Sequence, residues 1–361
     1  MCGFATLAAD GTFNSSSKVY LGADIAVNEG TASDWATTAP EHVWTPIFGF
    51  AGTFDGKGYT ISGLYGNADT DMGLFTATTS TTVVKDLKVT NSYFATSGNA
   101  VGLGTIVGTG HGTFQKIYAD VMLVKTGGYD SNGIGGILGC VAPSTGTVVI
   151  ENCWSNCTIN ADGKRVGGIL GSGNASVATV SIKHCLNTGT ITYKHTSGNQ
   201  FRFFGGIVGA TGTAKDVAGI SSFTMDDCLN TGTVTWSGTQ NKAQGAIIGQ
   251  VGGTADITNT YYLNTTASTD IGNGSSTGTV NISAKTASEL EGNNAKTNTT
   301  LNFAKYWSVV DGATPVLKTF TETFKVDTTW FDTATNSGTI ETRSQLYGFA
   351  SLAEDGAFNS S

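Results

Sequence analysis

The chain has 361 residues, only 13% of them charged, with 50 glycines, 4 prolines, a net charge of −8 and a pI near 4.9. An average soluble domain carries about 25% charged residues and about 7% glycine, so the polar bulk here is neutral: Thr, Ser, Asn and Gly. The scarcity of proline excludes a Pro-rich linker or collagen, and 39% hydrophobic residues exclude a disordered chain. The absence of a basic stripe argues against nucleic-acid binding, and no apolar run approaches the ~20 residues of a membrane span.

In chain order, the first segment, residues 1–42, reads as an N-terminal cap. Met1 to Ser16 (MCGFATLAADGTFNSS) matches Leu346 to Ser361 (LYGFASLAEDGAFNSS), with Gly3, Phe4, Ala5, Leu7, Ala8, Asp10, Gly11, Phe13, Asn14, Ser15 and Ser16 identical to their partners. This self-match predicts further copies of the same unit in tandem. Thr342-Arg343-Ser344-Gln345 has the form of a capping box ahead of Leu346, Phe349, Ala350 and Ala353 at helical spacing. A short helix is therefore expected at the start of each unit, covering the open end of a β-stack. Phe349 and Leu352, which lack a stack of their own, are expected to be more exposed than Phe4 and Leu7.

From residue 43 to 263 a shorter repeat runs. One half is a glycine-flanked apolar pair, predicted as a strand: Gly104-Thr105-Ile106-Val107-Gly108, Gly135-Gly136-Ile137-Leu138-Gly139, Gly167-Gly168-Ile169-Leu170-Gly171, Gly205-Gly206-Ile207-Val208-Gly209 and Gly245-Ala246-Ile247-Ile248-Gly249. With Leu74 as a degenerate first member, positions 74, 106, 137, 169, 207 and 247 are separated by 32, 31, 32, 38 and 40 residues. Such a period signals a solenoid, propeller or array. The other half has an apolar residue, two polar ones and then a small or apolar one. Its six copies start at Val84, Phe114, Ile150, Ile182, Met225 and Ile257, and end at Leu87, Ile117, Cys153, Cys185, Cys228 and Thr260. Leu-Asn-Thr-Gly-Thr follows two of the cysteines, at Leu186 and Leu229, and leads into alternating strands at Thr190-Ile191-Thr192 and Thr233-Val234-Thr235.

Three short strands per repeat with no helix between them, at a spacing below that of a propeller blade, predict an all-β chain: a right-handed parallel β-helix (solenoid) of about six rungs with short capping helices at the ends. Leu74, Ile106, Ile137, Ile169, Ile207 and Ile247 should form one inward column, and Leu87, Ile117, Cys153, Cys185 and Cys228 another.

The Gly-Gly-Ile-Leu-Gly and Cys-Leu-Asn-Thr-Gly-Thr elements resemble the GLUG repeats of bacterial cell-surface, adhesin-like proteins. Trp44-Thr45-Pro46-Ile47 with Gly52 to Ile61 resembles the segment that precedes those repeats. Trp307 with Asp311-Gly312-Ala313-Thr314-Pro315-Val316-Leu317 resembles the one that closes them. The resemblance covers most of the chain. It implies an extracellular or cell-surface β-helix, found in adhesin-like proteins and in large surface peptidases, with glycans or surface proteins as partners. It does not by itself imply an activity.

Residues 264–320 lose the repeat signal and read as a closing segment. Thr286-Ala287-Ser288-Glu289 predicts a capped helix that helps to close the C-terminal face of the stack, with Trp307 and the Pro315-Val316-Leu317 strand beside it. Residues 321–361 are expected to begin the next unit.

Reactive chemistry is sparse. Cys153, Cys185 and Cys228 share one repeat position, which favours buried free thiols over disulfides. Cys153 and Cys157 lack the partners of a zinc site, and no H-E-x-x-H occurs; no metal, cofactor or catalytic residue is assigned. Gly110-His111-Gly112 resembles a polygalacturonase motif, but Asp226-Asp227 follow the His where that family's carboxylates precede it. The expected function is a non-enzymatic structural or adhesive module. A polysaccharide lyase or glycoside hydrolase is the rival class, and an ice-binding Thr ladder the second alternative. The candidate ligand residues are Tyr193 and Trp236, at equivalent positions on two rungs. They would stack on sugar rings if they face solvent, and serve as packing if they sit at a corner.

Overall fold

The computed structural model describes residues 2–98, 102–127, 133–142, 144–173, 178–195, 202–212, 222–238, 242–321, 331–332 and 337–340. The chain divides into two compact units, Met1–Leu317 and Lys318–Ser361. In the second, a one-turn helix at Lys318–Thr321 and an antiparallel strand pair, Phe331–Asp332 with Ser337–Gly338, are described. The helix expected at Leu346 to Ala353, and with it the comparison of Phe349 and Leu352 with Phe4 and Leu7, lies outside the described residues.

The first unit is a β-solenoid of about seven turns, one more than the repeat spacing counts. Every ladder along the stack is parallel, with one sequence repeat per turn: Ile150 pairs with Ile182, Ile182 with Met225, and Met225 with Ile257. The ladder also extends past both ends of residues 43–263. Lys18–Tyr20 pairs with Thr53–Asp55 before them, and Ile271–Asn273 and Val280–Lys285 add a turn after them. Of these outer strands, Ile271–Asn273 still needs its glycine: a Cβ on Gly272 would stand 2.6 Å from Ala243 C.

Both expected columns form. Leu74, Ile106, Ile137, Ile169, Ile207 and Ile247 are all fully buried. Ile106 N donates to Ile137 O at 3.0 Å, Ile137 N to Ile169 O at 3.0 Å, Ile169 N to Ile207 O at 2.9 Å, and Ile207 N to Ile247 O at 3.0 Å. Leu87, Ile117, Cys153, Cys185 and Cys228 are equally buried.

The glycine motif is two strands, where the sequence suggested one. Gly133–Gly135 and Leu138–Val141 belong to different sheets, joined by a sharp corner at Gly136 and Ile137. The reason is steric. The two sheets lie back to back at a distance only glycine permits: a Cβ on Gly104 would stand 2.7 Å from Gly139 N, and one on Gly167 2.6 Å from Gly209 N. Side chains of the Leu-Asn-Thr-Gly motif fill the inside of that corner. Asn187 Nδ2 donates to Asn230 Oδ1 at 2.8 Å, and Asn230 Nδ2 donates to Ala246 O at 2.7 Å. Gly189 N and Gly232 N donate to the Oδ1 atoms of Asn187 and Asn230 at 3.2 and 3.1 Å. The two halves of the repeat are thus joined by a buried amide ladder, a fully paired use of polar groups in a core.

The second motif places residues i and i+3 both inward, which strict alternation forbids. The residue before each inward one resolves this by adopting a left-handed conformation: Asp86, Lys116, Asn152, His184, Asp227 and Asn259 have φ between +46° and +54°. Each makes a one-residue bend that resets the strand's parity, as a bulge does.

Helix α1 (Cys2–Ala9) covers the first turn. Phe4 meets Phe13, Phe50 and Phe54 at centroid distances of 5.2, 5.3 and 5.7 Å, and Ala8 is buried. In the closing segment, α2 (Ala287–Leu290) carries the expected capping box on Thr286, α3 (Asn294–Asn298) follows, and Trp307–Val310 pairs antiparallel with Ala313–Leu317. This segment does more than close the end of the stack. From Thr300 to Trp307 it runs back along the side of the last turns, because the bends there expose hydrogen-bonding groups. Thr300 Oγ1 donates to Asn259 Oδ1 at 2.6 Å, and Asn302 N donates to Asp227 Oδ1 at 2.9 Å.

Candidate functional site

Tyr193 and Trp236 are register partners on adjacent turns. Their rings stack on each other at 4.4 Å and 8°. Both follow a buried inward residue by two positions, Ile191 and Val234, and so share its side of the sheet. Tyr193 is fully buried, against Phe204 at 4.5 Å, and Trp236 is half-buried. Arg202 Nε donates to Tyr193 Oη at 3.1 Å, and burial pushes the phenol up to about 12. Tyr193 therefore offers no ring face to a sugar: it is core packing, as alternation from Ile191 dictates, with Trp236 stacked against it.

Cys140, Cys153, Cys157, Cys185 and Cys228 are buried free thiols. Burial raises Cys185 and Cys228 well above the ordinary thiol range, so these two are unreactive packing. His111 is also buried, against Gly146, where a Cβ would lie 2.5 Å from its Cδ2. Burial lowers its pKa. Asp227 instead meets His184, with Asp227 Oδ2 2.7 Å from His184 Nδ1 and 3.0 Å from Trp307 Nε1. Tyr306 stacks on the His184 ring at 3.5 Å. This cluster has the carboxylate–imidazole geometry of a catalytic dyad. Tyr306 and Trp307 of the closing segment cover both side chains, so the visible work of the cluster is to hold that segment down. Among the described residues no group of three His, Cys, Asp or Glu side chains could hold a metal ion.

The open face of the molecule lies elsewhere, on the sheet formed by Thr158–Ala161, Thr190–His195 and Thr233–Gly238 with the ends of Val83–Thr96 and Gly112–Lys125. Ile159, Ile191 and Val234 point into the core, so alternation sends their neighbours outward. One outward row is Tyr93, Met122, Thr158, Thr190 and Thr233; the next is Ala95, Val124, Asn160, Thr192 and Thr235. The apolar members are covered: Trp35 packs on Tyr65, Tyr93 and Ala95, with Ala32, Met122 and Val124 around it. The covering loop is fixed by Asn91, whose Nδ2 donates to Gly30 O at 2.8 Å and whose Oδ1 accepts from Ala32 N at 3.0 Å. Beyond the loop the hydroxyl and amide members are open: Thr158, Thr190, Thr233 and Thr235 are exposed. Thr233 Oγ1 donates to Thr190 Oγ1, and Thr235 Oγ1 to Thr192 Oγ1, each at 3.3 Å. A concavity lined by Ala32, Ser33, Asn91, Asp120, Met122 and Thr158 marks the step from loop to open face.

Along its border runs a polar-aromatic cluster that motif reading missed. Trp154 Nε1 donates to Thr188 Oγ1, and Thr188 Oγ1 donates to Asn156 Oδ1, both at 2.8 Å. Tyr118 meets Trp154 edge-on at 5.3 Å. Asp120, held by Asn156 and Tyr118, has its pKa raised by burial. The available signal was register: Tyr118 and Trp154 are cross-strand neighbours, visible once Phe114 is aligned with Ile150.

No protein-family model matches the chain, nor does any curated protein sequence. Its structure is similar to that of a putative immunoglobulin A1 protease from Bacteroides ovatus, at 20% identity and a TM-score of 0.52, over 85% of this chain and 88% of that one. At that identity the similarity shows the fold alone.

Proposed function

We propose that this chain is a non-enzymatic structural and adhesive module of a large secreted or cell-surface bacterial repeat protein of the GLUG kind. In this reading it repeats in tandem and presents its β-helix for attachment to glycans or surface proteins. The observation that carries the reading is the open face itself: rows of neutral hydroxyl and amide side chains on a continuous, largely apolar core, with the groups that resemble catalytic ones (His184, Asp227, His111) buried in packing roles. Such a scaffold spends its stability on length and display, as solenoids do.

The test is to incubate labelled protein with bacterial and epithelial cells, and in parallel with polysaccharides and with immunoglobulin A1. Saturable cell binding without new reducing ends, unsaturated sugars or peptide fragments is expected. Turnover of any of these substrates, abolished by Asp227→Asn, would replace the adhesive reading with an enzymatic one.

A further inference from the structure

We infer that the open face binds a neutral polysaccharide laid along the solenoid axis, with one end in the concavity beside Asp120. This rests on the adhesive reading and names its ligand class and site. Three observations converge.

The rows Asn156, Thr188, Thr231; Thr158, Thr190, Thr233; and Asn160, Thr192, Thr235 carry no charge. Asp120 is the single ionisable group in the concavity at their end. Along these three rows an anionic glycan meets no cation and a cationic peptide no carboxylate row, whereas sugar hydroxyls find alternating donors and acceptors; Lys194 lies beyond them, two residues after Thr192 on the same strand. Next, the turns repeat at about 4.8 Å, comparable with the length of one sugar residue, so successive sugars meet equivalent side chains on successive turns. Finally, the surface is preorganised. Its threonines are fixed on parallel strands and linked Oγ1 to Oγ1, and the concavity is held by the Asn91 clamp on the Trp35 loop. Such prior ordering lowers the entropic cost of binding. Tyr118 and Trp154, each half-buried, line the border of the rows.

The experiment uses the whole chain on a panel of neutral polysaccharides (glucans, mannans, xylans) and anionic ones (polygalacturonate, heparin), read by affinity electrophoresis and calorimetry. The triple variant Thr158→Val, Thr190→Val, Thr233→Val removes hydroxyls at constant shape and β propensity. Thr147→Val with Thr179→Val does the same on a different strip of the solenoid, and circular dichroism melts verify folding of each. Retention on at least one neutral polysaccharide is expected, weakened tenfold or more by the triple variant and unchanged by the control pair. Unaltered binding by a folded triple variant would overturn the site while leaving the adhesive reading in place. Cell binding without retention on any neutral polysaccharide, or preference for the anionic ones, would overturn the ligand class. Thermal hysteresis lost in the triple variant, without glycan binding, would reassign the face to ice.

Discussion

His184 Nδ1 lies 2.7 Å from Asp227 Oδ2, and the two residues occupy the same left-handed bend on successive turns. Trp307 Nε1 reaches the same oxygen at 3.0 Å, and Asn302 N donates to the other at 2.9 Å. One carboxylate thus joins two turns and fastens the closing segment across them. Asp227→Asn retains a side chain tolerated at positive φ, so its effect isolates the lost charge-assisted bonds. A stability loss of about 1–3 kcal/mol is expected, with Trp307 fluorescence shifting to the red. Urea titrations of wild type and variant check this, and equal midpoints would show that the cluster carries no net stability.

The column of left-handed bends makes a second prediction at Asn152, which has φ of +54° and a buried Oδ1 without a partner among the described residues. Asn152→Gly should be close to neutral, because glycine adopts this conformation freely. Asn152→Val should cost at least about 1–2 kcal/mol, the penalty for a β-carbon in that region. Thermal melts of the pair decide it, and similar Tm values would mean that the backbone relaxes at little cost.

The thiol column predicts chemical silence. Burial holds Cys185 and Cys228 in the protonated form, which does not attack electrophiles. Peptide-level mass spectrometry after native treatment with iodoacetamide should find these two unmodified, and modified fully once the chain is unfolded. Fast native labelling of Cys185 would show that the stack opens locally.

His111 links stability to pH. Burial lowers its pKa in the folded chain below the unfolded value of about 6.5, so the unfolded state binds the proton more readily. Its contribution is fully present above that unfolded value and is lost as pH falls towards the folded one. His111→Gln does not titrate. The variant's stability relative to wild type should therefore rise as pH is lowered from 7.5 to 5, and a constant difference across that range would remove His111 as the source.

The sequence revealed the architecture because the repeat is steric in origin. Gly104, Gly139 and Gly171 recur wherever two sheets touch backbone to backbone, and the apolar columns between them keep a fixed spacing. The parity-resetting bends were hidden, because Asp86, Lys116, Asn152, His184 and Asp227 share a conformation and not a residue type. The open face was half legible. Thr190-Ile191-Thr192 and Thr233-Val234-Thr235 announced outward threonines, and the same alternation, carried two residues further, turns Tyr193 inward. The cover over Tyr93 and Met122 comes from Trp35, far away in the chain and bearing no pattern of its own. The role of Asp227 needed Trp307, brought to it by a segment that follows no repeat.

The closing segment also changes how the molecule should yield to force. In a simple stack each turn touches only its neighbours, so turns can peel away one at a time. Here Thr300 is tied to Asn259, Asn302 and Trp307 to Asp227, and Tyr306 rests on His184. Three consecutive turns are laced from outside, and none can leave before the lace is drawn out. Pulled from its C-terminal side, this end of the solenoid should resist and then release several turns in one long step. In the tandem array proposed above, every unit would carry such a mechanical fuse.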